Sequence, residues 1–180
     1  MNVCIFCGSG KGKNPAYAQA AKEIANLLFS SQSTLVYGGG NIGLMGILAD
    51  EIMTLGGKVI GVIPDFLMKK EVGHTGITQL EVVSSMHERK RRMADLTDVF
   101  IALPGGWGTL DELAEILTWK QLGLIHGSIG ILNTNHYFDA LLSQMRTMVD
   151  EEFLHPNSLN EVKISDSPRA LLVQLGVITV

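Results

Sequence analysis

The sequence predicts an α/β fold, a doubly wound, Rossmann-like parallel sheet with helices on both faces, in a single domain over residues 1–180. Three observations carry this. Short apolar runs alternate with longer segments of helical spacing along the chain, the pattern of a parallel sheet whose crossovers are helices. Glycine-rich loops follow three of those runs, at Gly8 to Gly12, Gly38 to Gly43 and Gly105 to Gly108. Ligands of such sheets bind beyond the carboxyl ends of the strands, where strand order reverses, so the three loops are expected to meet at that edge around a phosphate-bearing ligand. The 180 residues suffice for one core that buries roughly 70% of the unfolded surface.

Asn2 to Cys7 reads as a central strand. Its Cys4 and Cys7 make a C-x-x-C, but their odd separation in a strand puts the thiols on opposite faces, whereas redox pairs open a helix. With no second pair to complete a zinc site, two buried thiols in a reducing compartment is the favoured reading. Gly8-Ser9-Gly10-Lys11-Gly12-Lys13 follows; it lacks the G-x-x-x-x-G-K-[ST] spacing of a nucleoside triphosphatase. Pro15 opens a helix with Ala18, Ala21, Ile24, Ala25 and Leu28 on one face.

Thr34 to Tyr37 is the second strand, and the loop Gly38 to Gly46 opens a helix through about Leu55. Gly38, Gly40 and Gly43 satisfy G-x-G-x-x-G, with Asp65 near the distance of a ribose-binding acid. That fingerprint normally follows the first strand, however, and the chain leaves little room for a substrate domain. A nucleotide is expected, but not a nicotinamide. Lys58 to Ile63 is the third strand, and Asp65 to Thr78 reads as irregular, a candidate mobile flap. Within it, His74 reads as a surface residue. Leu80 to Val83 is a short strand.

Ser84 to Leu96 reads as a helix carrying Met86-His87-Glu88-Arg89-Lys90-Arg91-Arg92. It feeds directly into the next strand, Val99 to Leu103, so Arg89 and Lys90 are placed to face a phosphate or pair with Glu112. The alternative is a solvated basic face. Pro104 closes that strand, the loop glycines allow a tight turn, and a helix follows with Thr109 as expected N-cap. Its free N–H groups and positive dipole end form an anion site. Glu112 then has two readings: a capping-box partner of Thr109, or a catalytic carboxylate, since Asp111 and Glu115 make the acidic cluster larger than a cap requires. A strand at Ile129 to Leu132, a helix from Phe138 to Glu151, a strand at Val162 to Ile164 and a helix from Pro168 to Leu175 complete the pattern.

Composition narrows the function classes. A net charge of −4 argues against nonspecific nucleic-acid binding. No stretch reaches the ~20 apolar residues of a membrane span and the amino terminus lacks a basic, then apolar, leader, so a cytoplasmic protein is expected. The 46% hydrophobic content leaves apolar surface that a homo-oligomer would cover.

Three stretches together resemble the LONELY GUY family of cytokinin riboside 5′-monophosphate phosphoribohydrolases: Gly38-Gly39-Gly40 with Gly43-Leu44-Met45-Gly46, Met86-His87-Glu88-Arg89-Lys90, and Pro104-Gly105-Gly106-Trp107-Gly108-Thr109 with Glu112. Trp107 stands where tyrosine or phenylalanine is common. The resemblance implies hydrolysis of a nucleoside 5′-monophosphate to free base and ribose 5-phosphate, without metal or organic cofactor, by a homodimer with its site near the interface. It implies Arg89 and Glu112 as the catalytic pair. Substrate contacts are expected from Gly8, Ser9, Gly39, Gly40, Gly43, Glu71, Met86, Lys90, Pro104, Gly105, Gly106, Trp107, Gly108, Thr109 and Glu115. Family members are often labelled lysine decarboxylases, but no residue stands out as a Schiff-base lysine with a partner for a pyridoxal ring. The alternative of a different class is a nonenzymatic nucleotide or molybdenum-cofactor carrier, which shares the fold and glycine loops.

Overall fold

The computed structural model describes residues 1–71 and 73–179, with the side chains of residues 69–71 outside the description. Seven strands form one parallel sheet: β1 (Asn2–Phe6), β2 (Thr34–Tyr37), β3 (Lys58–Pro64), β4 (Gln79–Val83), β5 (Val99–Ala102), β6 (Ser128–Leu132) and β7 (Lys163–Ser165). Their order is β4-β3-β2-β1-β5-β6-β7. The chain builds outward from β1 to β4, then returns to the other side of β1 with β5. The reversal lies between β1 and β5, so the loops after these two strands flank the crevice where ligands of such sheets bind.

Helices cover both faces. On one lie α1 (Pro15–Ser30), α2 (Gly43–Leu55) and, later in the chain, a helix over Pro168–Gln174; Ala21, Ile24, Leu28, Leu48, Ile52 and Leu171 bury against Val3, Ile5, Leu35 and Ile101. Between α2 and β4 stands α3 (Asp65–Glu71). The other face carries α4 (Met86–Asp95), α5 (Trp107–Gln121) and α6 (Asp139–Asp150), through Met93, Leu113, Ile116, Leu142 and Met145 against Phe6, Phe100 and Ile131. A short α7 (Pro156–Asn160) precedes β7, and α8 is the Pro168–Gln174 helix. Cys4 and Cys7 are free, buried and divided between the two faces, as the strand period requires.

Two expectations are corrected. The segment from Asp65 is helical through Glu71, seven residues that Pro64 sets off and that are too few to show a helical period; Val72 lies outside the described residues. Gly73 then pairs with Gly40 in an isolated antiparallel bridge. Second, the N-cap of α5 is Gly106 rather than Thr109: Gly106 is extended, and its carbonyl accepts from the Leu110 N–H at 3.2 Å, starting the helix at Trp107. Beyond these, α7 and a 3₁₀ turn at Thr134–His136 fill stretches for which the sequence reading holds no expectation.

Candidate active site

The three glycine loops meet. Gly8 N–H donates to the Pro104 carbonyl at 3.1 Å, and Leu44 N–H donates to the Gly8 carbonyl at 3.0 Å. Gly43, at φ 64°, brings its backbone against Ser9 so closely that a Cβ would overlap the Ser9 carbonyl group. At Gly105, a Cβ would fall on the Thr109 hydroxyl. These glycines serve close backbone approach, the second use of glycine besides positive φ.

Beside this junction opens a cleft of about 250 Å³ lined by Gly8, Ser9, Met86, Arg89, Gly106, Trp107, Gly108, Thr109 and Glu112, together with Ile5, Cys7, Gly38, Met45 and Leu67. The amino end of α5 borders it, with no side chain capping the first-turn amides, an arrangement suited to an anion. Trp107 is 89% exposed at the rim. Thr109 is buried at the third helical position.

Arg89 and Glu112 face each other, both buried, with Nη1 to Oε1 at 3.2 Å. Local sequence explains how Arg89 arrives there. Ser85 caps α4, accepting from the Glu88 N–H at 3.1 Å, while Glu88 reaches back to the Ser84 N–H and hydroxyl at 2.8 and 2.6 Å. This is a capping box displaced by one donor, and it fixes the first turn so that Arg89 points inward. There Nε donates to the Val62 carbonyl at 3.1 Å and Nη2 to the Gly38 carbonyl at 3.4 Å. A Cβ at Gly38 would overlap Nη2, so Arg89 holds this place only while residue 38 is glycine.

Glu112 is the sixth residue of a helix whose N-cap is Gly106. It sits too far along α5 to cap the amino end, so the capping-box reading fails on position. Burial pushes its carboxyl up to about 7; Arg89 opposes the rise, Asp111 adds to it, Lys90 opposes and Glu115 adds. Burial, with a smaller contribution from Glu112, holds the nearby Cys7 and Cys4 thiols well above the ordinary thiol range, which disfavours the thiolate.

Lys90 and Glu115 do not line the cleft. Lys90 Nζ pairs with Asp111 and Glu115, each at 3.2 Å, and bridges α4 to α5 one residue along from Arg89 and Glu112. Burial pulls the ammonium down, but the bonds to Glu115 and Asp111 outweigh it and leave Lys90 raised. Pro104 and Gly105 line an adjoining cleft with Gly8, Ser9 and Gly106, walled by Tyr17 and Tyr137. Gly39 and Gly40 lie in the turn behind the site, with Gly39 at φ 77° against Ile63 and Leu80. The expectation for Glu71 concerns a side chain outside the described ones. The substrate contacts expected from the sequence leave out Ile5, Cys7, Gly38, Met45 and Leu67, although Gly38 and Met45 stand in the glycine loop and motif on which that expectation rests. Gly38 was within reach as the first glycine after a strand; Leu67 was not, because its helix went unread.

Curated relatives decide the family. A probable cytokinin riboside 5′-monophosphate phosphoribohydrolase, LOGL6 of Oryza sativa subsp. japonica, is 42% identical over 173 residues, covering 96% of this chain and 69% of its own length. The cytokinin riboside 5′-monophosphate phosphoribohydrolase LOG7 of Arabidopsis thaliana is likewise 42% identical, over 96% of this chain and 80% of its own length. The chain belongs to the LONELY GUY family. The matching family model, described as possible lysine decarboxylase, spans residues 45–175. Among solved structures, the molybdenum cofactor binding protein of Rippkaea orientalis superposes with a TM-score of 0.72 at 23% identity, over 99% of this chain and 97% of that one. The molybdenum cofactor carrier protein of Chlamydomonas reinhardtii gives 0.71 at 16%, over 98% and 96%. At such identities the likeness is one of fold.

Decarboxylase chemistry through pyridoxal phosphate needs a lysine free to form a Schiff base. No described lysine lines the LONELY GUY cleft here, and Lys90 beside it is held between two carboxylates. Among the described residues, no group of three His, Cys, Asp or Glu is arranged to hold a metal ion.

Proposed function

We propose that this protein hydrolyses the N-glycosidic bond of a purine or cytokinin nucleoside 5′-monophosphate of the AMP type, giving free base and ribose 5-phosphate. The observation that carries the reading is the buried Arg89–Glu112 pair on the wall of a cleft that also receives the amino end of α5. Family membership agrees with it.

The chemistry follows from the placement. First-turn amides of α5, with Ser9 opposite, supply donors for the 5′-phosphate, while Gly8, whose N–H is held by the Pro104 carbonyl, shapes the wall. Glu112 lies five residues after Trp107, about 7.5 Å along the helix axis, a separation that ribose 5-phosphate spans. Its carboxylate therefore reaches the sugar. Cleaving the C–N bond builds positive charge on the ribose, which an ionised Glu112 stabilises while orienting water, as carboxylates do in glycosidases. Arg89, tied to two backbone carbonyls, holds that carboxylate in place and favours its ionised form.

Chromatography of reactions with AMP and with adenosine tests this. Base release from AMP and little from adenosine is expected; equal rates on both would remove the phosphate assignment, and AMP bound but intact would favour a carrier. The protein also acts as a homodimer in this reading, supported by Trp107, Leu122 and Leu124, which leave large apolar surfaces exposed at the start of α5 and just beyond its end. A second copy covering Trp107 would bring the interface to the rim of the cleft. Light scattering in solution should give twice the chain mass, and a monomer mass counts against it. A cytoplasmic setting suits the two free thiols. Among the described residues, no helix is long and apolar enough to cross a membrane.

A further inference from the structure

His74 lies outside the cleft, yet it joins three parts of the chain. Its backbone N–H donates to the Gly39 carbonyl at 2.9 Å, beside the bridge of Gly73 with Gly40. Its ring Nδ1 lies 3.2 Å from the Gly76 backbone N. A peptide N–H only donates, so Nδ1 accepts and the proton of the neutral ring sits on Nε2. That Nε2–H donates to Asp50 Oδ1 at 2.9 Å. Asp50 belongs to α2, which continues the same glycine turn from Gly43. The imidazole is 13% exposed and the Asp50 side chain 69%, so the ring is packed between the two partners while the carboxylate is reached from solvent.

This linkage bears on two walls of the cleft. One is the turn itself, where the Gly38 carbonyl accepts from Arg89 and Gly43 packs on Ser9. The other is α3, which carries Leu67 into the cleft and is followed by the His74 segment.

We infer that His74 is a positioning residue for the phosphoribohydrolase site, clamping the Gly38 to Gly43 turn to the α3–β4 connection through Asp50. The inference rests on the reading of the cleft given above. Arg89 keeps its bonds to Val62 and Glu112 when the clamp is lost, so the loss falls on the substrate-facing wall and on KM, with the bond-breaking step largely spared.

Asp50→Ala, His74→Ala, their double variant and His74→Gln are compared with the parent by steady-state hydrolysis of AMP, by calorimetric binding of AMP and by hydrogen exchange of residues 73–76. Each alanine variant is expected to raise KM and Kd about five- to tenfold, with kcat within about twofold, on the scale of one lost positioning bond. The double variant should be no worse than the worse single one, because both changes remove the same link. The amide at position 74 should exchange faster in all three. His74→Gln keeps an N–H at about the reach of Nε2 and should recover most of the loss. Loss of folded protein alone lowers kcat and leaves KM unmoved. Asp50 is exposed, so its variant keeps the fold even where His74→Ala does not. Unchanged KM and Kd in Asp50→Ala, or single effects that add in the double variant, overturn the clamp. A parent protein that binds AMP without releasing base removes the hydrolase reading, while the Kd series still decides the clamp; a parent that does not bind AMP overturns both.

Discussion

Arg89 and Glu112 form a buried ion pair in which the two partners are held differently. The guanidinium is fixed by the Val62 and Gly38 carbonyls as well as by the carboxylate at 3.2 Å. The carboxylate, at 6% exposure, is pushed up to about 7 by burial against the opposing pull of Arg89. A buried pair of this kind adds little to stability, and breaking it is expensive because one charge remains behind. Its placement at the cleft is better explained by reactivity: a carboxylate poised near neutrality is a common feature of acid–base and electrostatic catalysts.

The geometry of Gly38 makes a first prediction. Gly38→Ala puts a methyl group where Arg89 Nη2 lies and within 3.3 Å of Met45 Sδ. The guanidinium has to leave its place, so turnover should fall about tenfold or more, with a stability loss of about 1 to 3 kcal/mol from overpacking. A thermal melt and AMP turnover check the two parts. Parent-like turnover would mean that the Gly38 anchor does not orient Arg89.

Much of this was legible in the sequence because the strands are short apolar runs closed by glycine or proline: β2 lies at Thr34–Tyr37, as its pattern indicates. The pairing of Arg89 with Glu112 was legible as one of two readings, since the Met86 segment feeds the strand before the Pro104 loop; the sequence left a phosphate contact open for Arg89 and Lys90 alike. What escaped was set by tertiary contact. Gly106 takes the cap of α5, and Thr109 lies in the first turn against Gly105, where a Cβ would fall on its hydroxyl. The role of Gly38 depends on an arginine 51 positions away, and that of Lys90 depends on which carboxylates α5 turns toward it.

Lys90 gives the second prediction. It neutralises Asp111 and Glu115, and both of these carboxylates push Glu112 up while Lys90 pulls it down. Lys90→Met should therefore move the acid limb of the AMP turnover profile to higher pH, lowering turnover near pH 6 by about threefold. A direct contact between Lys90 and substrate would instead raise KM and leave the limb in place. Turnover profiles measured between pH 5 and 9 separate the two.

The last prediction concerns Glu112, where protonation and substitution must agree. If the ionised carboxylate stabilises a cationic sugar, parent turnover rises with pH through about 7, the value to which burial pushes Glu112; a general acid would give the opposite slope. The same shift has a stability consequence of fixed sign. A carboxyl raised from 4.5 to about 7 binds its proton more tightly in the folded state. Its contribution therefore favours folding fully below about 4.5, and that advantage is lost as pH rises through 7. Glu112→Gln removes this titration, so the parent should lose stability relative to the variant as pH is raised across that window, which paired melts at pH 4.5 and 8 record. Glutamine keeps the length and hydrogen-bonding capacity of the side chain and removes only the charge. Turnover of AMP should fall about 100-fold or more, as when other electrostatic groups of a transition state are removed. Binding of AMP should be largely kept, because Gly8, Ser9 and the amino end of α5 are untouched. A Glu112→Gln protein that binds AMP and still releases base at near the parent rate would show that the sugar cation is stabilised elsewhere in the cleft.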